Sequence, residues 1–522
     1  MNKSTIIYLA TFISAMLYAQ NEKSVQGSFG AVTIDGKVWN QIAFRPVIPI
    51  WKFGVALDLV FYFDADGNLH KDEWDFSSGK AIKNTLIDKI YYIRYGFPKD
   101  PLYLKVGSLD YVKLGYGILV NGYTNTIEYP QVRKVGLDFS VKRNLFSVQG
   151  FANDFKENIG LIGARIQSSK LMNIPLGVSA VIDRNQYLGL KDRDGDGFPD
   201  FVDEFPDEYL YFIDSDSDGL ADNNPLEYDR DGDGFPDVDD INVIHAWWDS
   251  LGIAVGQDFS SESFYDLIPD INLTLNDKPI NINQESNPIS AIAFDIGYPI
   301  ITEQNLSVGI YAQFAKMIGE TINPSDTTVS SLGSGIIPIG VFSKIGPVHF
   351  NLEYRIIPKG NFEFGYWNQT YEIERTSIDR ERDIQTKESK LGRFGKQKGI
   401  YASIGSDIFS LLGFNMAYQN LRGDIWDGTA FSNQANQSFQ SELKLKKSIS
   451  KLKTAKLFYQ QQNVPNPFEF EYSESTVMGY KIGLAISSGM ILNYTYQRTF
   501  RMNTSGELEP VNLTGIETSF SF

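Results

Sequence analysis

Residues 515–522 read GIETSFSF. Ile516, Thr518, Phe520 and Phe522 fall on one face of an extended segment, and Gly515, Glu517, Ser519 and Ser521 fall on the other. Successive side chains of a pleated chain point to opposite sides, so this period of two predicts a strand with one apolar face. The same pattern recurs upstream. Val135, Leu137, Phe139 and Val141 interleave with Gly136, Asp138, Ser140 and Lys142, and Val348, Phe350, Leu352, Tyr354 and Ile356 interleave with His349, Asn351, Glu353 and Arg355. Weaker versions occur at 146–153, 160–168, 175–182, 306–314, 400–408, 439–446 and 455–461, each followed by Gly, Asn, Asp or Pro. The predicted class is all-β, with antiparallel strands joined by turns.

The direction of the apolar face separates two architectures. In a soluble sandwich it points into a core, and in a membrane barrel it points out to lipid while the polar face lines a lumen. Phe, Tyr and Trp total 71 of 522 residues. Many flank strand ends, as at Tyr91-Tyr92, Trp247-Trp248 and Tyr494 with Tyr496, which fits the aromatic girdles of a bilayer interface. The N-terminal MNKSTIIYLATFISAMLYAQ carries Lys3, an apolar run from Ile6 to Leu17 and the small Ala19, so residues 1–19 are expected to be a secretory signal peptide. Beyond it no stretch approaches the roughly 20 apolar residues of a membrane helix. A membrane-embedded mature chain must then be a closed barrel. Cysteine is absent, which excludes disulfides, thiolate metal sites and cysteine nucleophiles.

Together these features resemble the Gram-negative outer-membrane β-barrel proteins, whose last strand alternates apolar residues and ends on an aromatic, here Phe522. The resemblance implies an antiparallel transmembrane β-barrel in the bacterial outer membrane, lipid around it, and recognition of the C-terminal strand by the barrel-assembly machinery. Roughly four hundred residues at about 20 to 25 per strand and its connection predict about 16–20 strands and a lumen wide enough for small solutes. The expected division is signal peptide 1–19, first part of the barrel 20–187, a calcium-binding insertion 188–245, a loop 246–289 and the second part of the barrel 290–522.

The insertion opens with DRDGDGFPDFVDEFP from Asp192. Residues 192–240 hold 19 of the chain's 64 acids and 2 of its 47 bases, leaving 45 of each elsewhere, so the net charge of −17 belongs to this one segment. Calcium takes six to eight oxygen ligands, and a short loop supplies them when carboxylates alternate and a glycine allows the turn. With Asp192 as position 1, carboxylates stand at 1, 3, 5, 9 and 12 in Asp192, Asp194, Asp196, Asp200 and Asp203, with Gly197 at 6. A later copy repeats these offsets in Asp229, Asp231, Asp233, Asp237 and Asp240, with Gly234. The middle copy has Asp214, Asp216, Asp218 and Asp222 with Gly219, but Pro225 at position 12, so an oxygen must come from elsewhere, such as Glu227. The spacing resembles the thrombospondin type 3 repeat and implies Ca²⁺ at these aspartates. Phe205-Pro206 stands where that family often has Cys-Pro. A solvated acidic loop is the alternative. At FDADGNLHKDEWDF, Asp64, Asp66 and Glu73 partly match an EF-hand loop, but Tyr62 sits at position 1 and a polar turn explains the stretch equally well.

His70, His245 and His349 are scattered and in no metalloprotease or nucleophile context, so an enzyme is not expected. Gly333, Gly335 and Gly340 lack the Lys-Ser/Thr of a phosphate loop, and no basic patch suggests nucleic acid. The mixed charges from Glu372 to Lys398 predict a solvated outer loop. Three functions fit: a porin-like barrel with Asn351, Glu353 and Arg355 in its lumen and a calcium-ordered extracellular loop, a calcium-dependent surface adhesion or assembly protein anchored by its barrel, or a soluble exported calcium-binding β-protein.

Overall fold

The computed structural model describes residues 24–521 except 35, 71–73, 75, 77–78, 131, 157–158, 169–173, 215–218, 220, 222–278, 380–382, 409 and 504–505. Expectations for the signal peptide, Glu73, His245, Trp247-Trp248, Phe522, Pro225, Glu227, and Asp216, Asp218, Asp222, Asp229, Asp231, Asp233, Asp237 and Asp240 lie outside the described residues.

Twenty antiparallel strands run in chain order around one closed sheet. They are β1 (Ser24–Ile34), β2 (Lys37–Ile50), β3 in two pieces (Phe53–Leu57 and Leu59–Phe63), β4 (Ile90–Tyr95), β5 (Leu102–Gly107), β6 (Gly136–Lys142), β7 (Phe146–Ala152), β8 (Leu161–Ser168), β9 (Leu176–Asp183) and β10 (Ile289–Thr302). The second half comprises β11 (Leu306–Ile318), β12 (Ser334–Ile345), β13 (Val348–Ile357), β14 (Phe394–Ile408), β15 (Leu412–Trp426), β16 (Phe431–Leu445), β17 (Leu452–Val464), β18 (Val477–Ser487), β19 (Met490–Met502) and β20 (Leu508–Ser521). Each strand pairs with its sequence neighbours. β20 then returns to β1, from Gln26 opposite Ser521 to Val32 opposite Gly515, so no edge is left unpaired.

The alternation now has a direction. Along β10, Ile292, Phe294, Ile296 and Tyr298 face outward and exposed, while Ala291, Ala293 and Asp295 face inward and buried. On β13, Phe350, Leu352 and Tyr354 are exposed, whereas Glu353 and Arg355 are 2% and 5% exposed. An exterior of isoleucine and phenylalanine over a charged interior is the inverse of a soluble sandwich and is stable only where lipid meets the outer face. The soluble alternative is thereby overturned, and the barrel belongs in the bacterial outer membrane. The C-terminal strand keeps its predicted faces: Ile516 points out, and Glu517 accepts hydrogen bonds from Gln41 Nε2 and Arg45 at 2.8 Å each.

Two long connections carry much of the buried apolar surface. Residues 108–135 join β5 to β6 and residues 358–393 join β13 to β14. A second compact unit, Tyr187–Asn287, stands between β9 and β10 in sequence and contains the acidic repeats. Its described part is turns and loop, without sheet.

Candidate functional site

The inward faces of β8–β12 carry many small and apolar residues beside a few charged ones such as Arg165, Asp183 and Asp295. Gly163, Gly177, Val181, Ala291, Ala293 and Ala315 are all buried there. Small side chains leave space, and the connections 108–135 and 358–393 fill it with Leu109, Ile118, Leu119, Val120, Tyr123, Phe362, Tyr366, Trp367 and Tyr371 in one apolar cluster with the wall. Tyr116 stacks on Tyr311 of β11 with ring centres 4.0 Å apart and planes 4° apart. Gly297 of β10 makes this possible, because a Cβ there would come within 2.0 Å of the Tyr116 hydroxyl.

The two inner loops also bind each other. Val120 forms a parallel bridge with Trp367, the Asn121 N–H donates to the Trp367 carbonyl at 3.1 Å, and the Gly365 N–H donates to the Ile118 carbonyl at 2.9 Å. Charge strengthens the join: Lys134 of the first loop lies 2.7 Å from Glu372 of the second, and Tyr123 donates its hydroxyl hydrogen to the same carboxylate. Each loop is anchored to the wall as well. Arg133 lies 3.4 Å from Asp58, which breaks β3 in two and also holds Arg45 at 2.8 Å. Arg375, fully buried, donates to both oxygens of Asp183 at the end of β9 at 2.7 and 2.8 Å, and Tyr371 donates to Asp183 at 2.7 Å. Lys387 sits 3.1 Å from both Glu363 and Glu374.

These contacts correct one expectation. The charged segment from Glu372 to Lys398 is not a solvated outer loop throughout: Glu372, Glu374, Arg375, Lys387 and Glu388 are buried, Glu372 and Arg375 are matched by Lys134 and Asp183 far away in sequence, and Lys387 pairs with Glu363 and Glu374. Glu388 accepts hydrogen bonds from Gln186 Nε2 at 3.0 Å and the Glu320 N–H at 3.2 Å, yet burial pushes its carboxyl up to about 7. An informative signal in the sequence was the aromatic run Phe362, Phe364, Tyr366, Trp367 and Tyr371 just before the charges, which water would not solvate.

Between the loops and the wall of β13–β17 a cleft remains, open to solvent. The loops contribute Asn121, Phe364, Gly365 and Asn368, and the wall contributes Arg355, Tyr401, Gln419, Ser438, Gln440 and Gln462. Strand register places Glu353, Tyr401, Gln419 and Ser438 opposite one another in a single row across β13, β14, β15 and β16. Of the three residues predicted for the lumen, Glu353 and Arg355 form an ion pair at 2.6 Å, and Asn351 donates to Ser403 at 3.1 Å. His349, at the start of β13, is exposed and paired with Lys344.

Within the unit Tyr187–Asn287, three of the predicted calcium residues come together locally. Asp192, Asp194 and Asp196 each bring a carboxylate oxygen within 4.8 Å of the others. The Gly197 N–H donates to Asp192 Oδ2 at 3.1 Å, and five residues after Asp214 the Gly219 N–H donates to Asp214 Oδ2 at 2.8 Å, the same offset in both copies. Gly197 and Gly219 have φ of 105° and 97°, a backbone region that favours glycine. Asp194 Oδ2 is buried without a hydrogen-bond partner. Burial, reinforced by Asp196 and Asp194, pushes the Asp192 carboxyl up to about 6, and burial does the same to Asp203. Asp200 accepts from the Arg193 N–H at 2.8 Å. A cluster of desolvated carboxylates with an orphaned oxygen fits a hard cation. At the EF-hand-like stretch, Asp64 Oδ1 accepts the N–H groups of Asp66 and Asn68 at 3.0 and 2.8 Å, the geometry of a polar turn.

No family model matches the sequence, and no curated protein does. Among solved structures the chain is similar to Pseudomonas aeruginosa OpdL, at 7% identity with 96% of this chain and 97% of that one covered and a TM-score of 0.33. It is similar also to the P. aeruginosa outer membrane protein opdK, at 7% identity, 96% and 98% coverage and a TM-score of 0.32, and to P. aeruginosa OccK2 (OpdF), at 7%, 96% and 96%, and 0.31. The strand pairing, and not this likeness, carries the fold.

Proposed function

We propose that this chain is a porin-like channel of the outer membrane, narrowed by two inner loops and carrying an extracellular insertion ordered by calcium. The observation behind the channel is the cleft left between the loops and the wall, lined by polar side chains at the level where the barrel is otherwise filled. The cleft lies between the loops and the wall of β13–β17, which makes the site selective by shape. The insertion's share of the reading rests on the three carboxylates gathered at Asp192, Asp194 and Asp196 and on the matching turn at Asp214. External calcium near millimolar suits sites of this kind. Asp200 and Asp203 complete the first ligand set, and the later copies repeat it. Lipid surrounds the barrel, and the C-terminal strand is the element offered to the assembly machinery.

Purified protein in planar bilayers should give discrete conductance steps. A silent barrel would sink the channel reading and favour the anchored adhesion or assembly protein, in which case deletion of residues 188–245 should abolish partner capture. Calcium is tested separately by limited proteolysis. The insertion should be cut rapidly in chelator and slowly in millimolar calcium, and D192N/D194N/D196N should remove the protection; equal cutting in both conditions argues against ion binding.

A further inference from the structure

The uncharged polar side chains around the cleft are mostly of one chemical kind. Asn121, Asn368, Gln419, Gln440 and Gln462 are amides, each offering a donor and an acceptor, and Ser438 adds a hydroxyl. The one charged residue lining the cleft, Arg355, is already compensated. Its Nε donates to Glu353 at 2.7 Å, a second nitrogen donates to Gln419 Oε1 at 2.5 Å, and its plane lies over Tyr401 at 3.9 Å and Phe364 at 4.8 Å. The guanidinium is therefore committed to the protein on its edge and on both faces. Lys113 of the first inner loop is within electrostatic reach of Glu353, which offsets its charge, and burial lowers its ammonium. Gln419 gives its oxygen to Arg355 and Gln462 gives its oxygen to Asn368 at 2.7 Å, which leaves the amide nitrogens of both for a guest. Gln440 spends its nitrogen on a 3.4 Å contact with Gln369 and keeps its oxygen for the guest.

We infer that the cleft binds a neutral carbohydrate. A sugar hydroxyl donates and accepts at once, so it satisfies amide nitrogens and oxygens together, whereas a carboxylate accepts only and would leave the Gln440 oxygen unpaired. The rings of Phe364 and Tyr401 that hold the guanidinium also line the cleft and add apolar surface beside the amides. This site rests on the porin reading for its physiological meaning, but its occupancy can be measured apart from conduction.

Isothermal titration of the detergent-solubilised protein with glucose, maltose and glucuronate reads binding directly, while planar-bilayer current with the same solutes reads passage. Maltose should bind and should interrupt the current, and glucose should bind at least as well as glucuronate. Q440L and Q462L should each weaken maltose roughly threefold to tenfold, the effect of one lost hydrogen bond, with thermal unfolding unchanged in Q440L and lowered in Q462L, which also removes the acceptor of Asn368. Conductance steps without any maltose heat or current block would overturn the site and leave the channel standing. Maltose binding to a silent barrel would leave the site standing and remove the channel. Glucuronate binding more than tenfold tighter than glucose, or no effect of either glutamine substitution, would overturn the assignment to a neutral sugar.

Discussion

Two arcs of the same wall present similar exteriors and opposite interiors. Along β8–β12 small inward residues, Gly163, Gly177, Val181, Ala291, Ala293 and Ala315, alternate with larger or charged ones such as Arg165, Asp183, Asp295 and Tyr311, and protein is packed against them; along β15–β17 the inward positions include Gln419, Asn436, Ser438, Gln440, Gln460 and Gln462, and the cleft lies in front of several. The outward residues of both arcs are large and apolar, Ile292 and Phe294 on one side and Met416, Leu443 and Leu457 on the other. Lipid therefore imposes the same rule on every strand, while the inward residue is chosen by what stands opposite it. Small residues leave room for a docked loop on the first arc, while on the second the amides Gln440, Gln460 and Gln462 meet the second inner loop through hydrogen bonds and the cleft opens beside them.

The comparison breaks most severely at the loop anchor. D183A leaves the Arg375 guanidinium buried without its bidentate partner, and truncating one member of such a pair costs about 3–5 kcal/mol. Thermal unfolding should show that loss, and single-channel conductance should rise as the second inner loop leaves the wall. F294R tests the shared exterior: an arginine facing lipid costs roughly 2–4 kcal/mol at the bilayer midplane, read as a lower refolding yield into liposomes, and the inner loops should be unaffected in the molecules that do fold. G297L sharpens the interior rule, since its side chain needs the space of the Tyr116 hydroxyl. Overpacking of this kind costs about 1–3 kcal/mol, and the Tyr116–Tyr311 stack should be lost in a crystal structure.

The smallest effect concerns Glu388. Its folded carboxyl titrates near 7, above its ordinary value of 4.5, so the protonated form is the one the folded loop favours. The stabilisation is complete below about pH 4.5 and is lost as pH rises to 7 and beyond. Open probability should be higher at pH 8 than at pH 5, and E388Q should flatten that dependence. An unchanged slope in the variant would remove Glu388 as its source.

How much of this could be read in advance follows from the range of each interaction. The exterior was legible because alternation is local: Phe350, Leu352 and Tyr354 declare their face within five residues, and the estimate of 16 to 20 strands includes the 20 found. The acidic loop was legible for the same reason, since Asp192, Asp194 and Asp196 lie two apart and converge through their own turn. The inner loops were not. Arg375 finds Asp183 across 192 positions and Glu372 finds Lys134 across 238, so their charges looked like those of a solvated segment until the fold supplied the partners. The cleft escaped for a related reason. Gln419, Gln440 and Gln462 sit on alternating strands as ordinary polar residues, and only the register and the loops facing them make them a set.

The row Glu353, Tyr401, Gln419 and Ser438 has a kinetic consequence. It runs across four neighbouring strands, and three of its members, Tyr401, Gln419 and Ser438, line the cleft together, so a solute moving through the proposed channel would meet these three groups in one stage of its transit. Passage through one such stage behaves like turnover at one binding step: flux should level off as concentration rises, and a solute that binds too tightly should slow its own traffic.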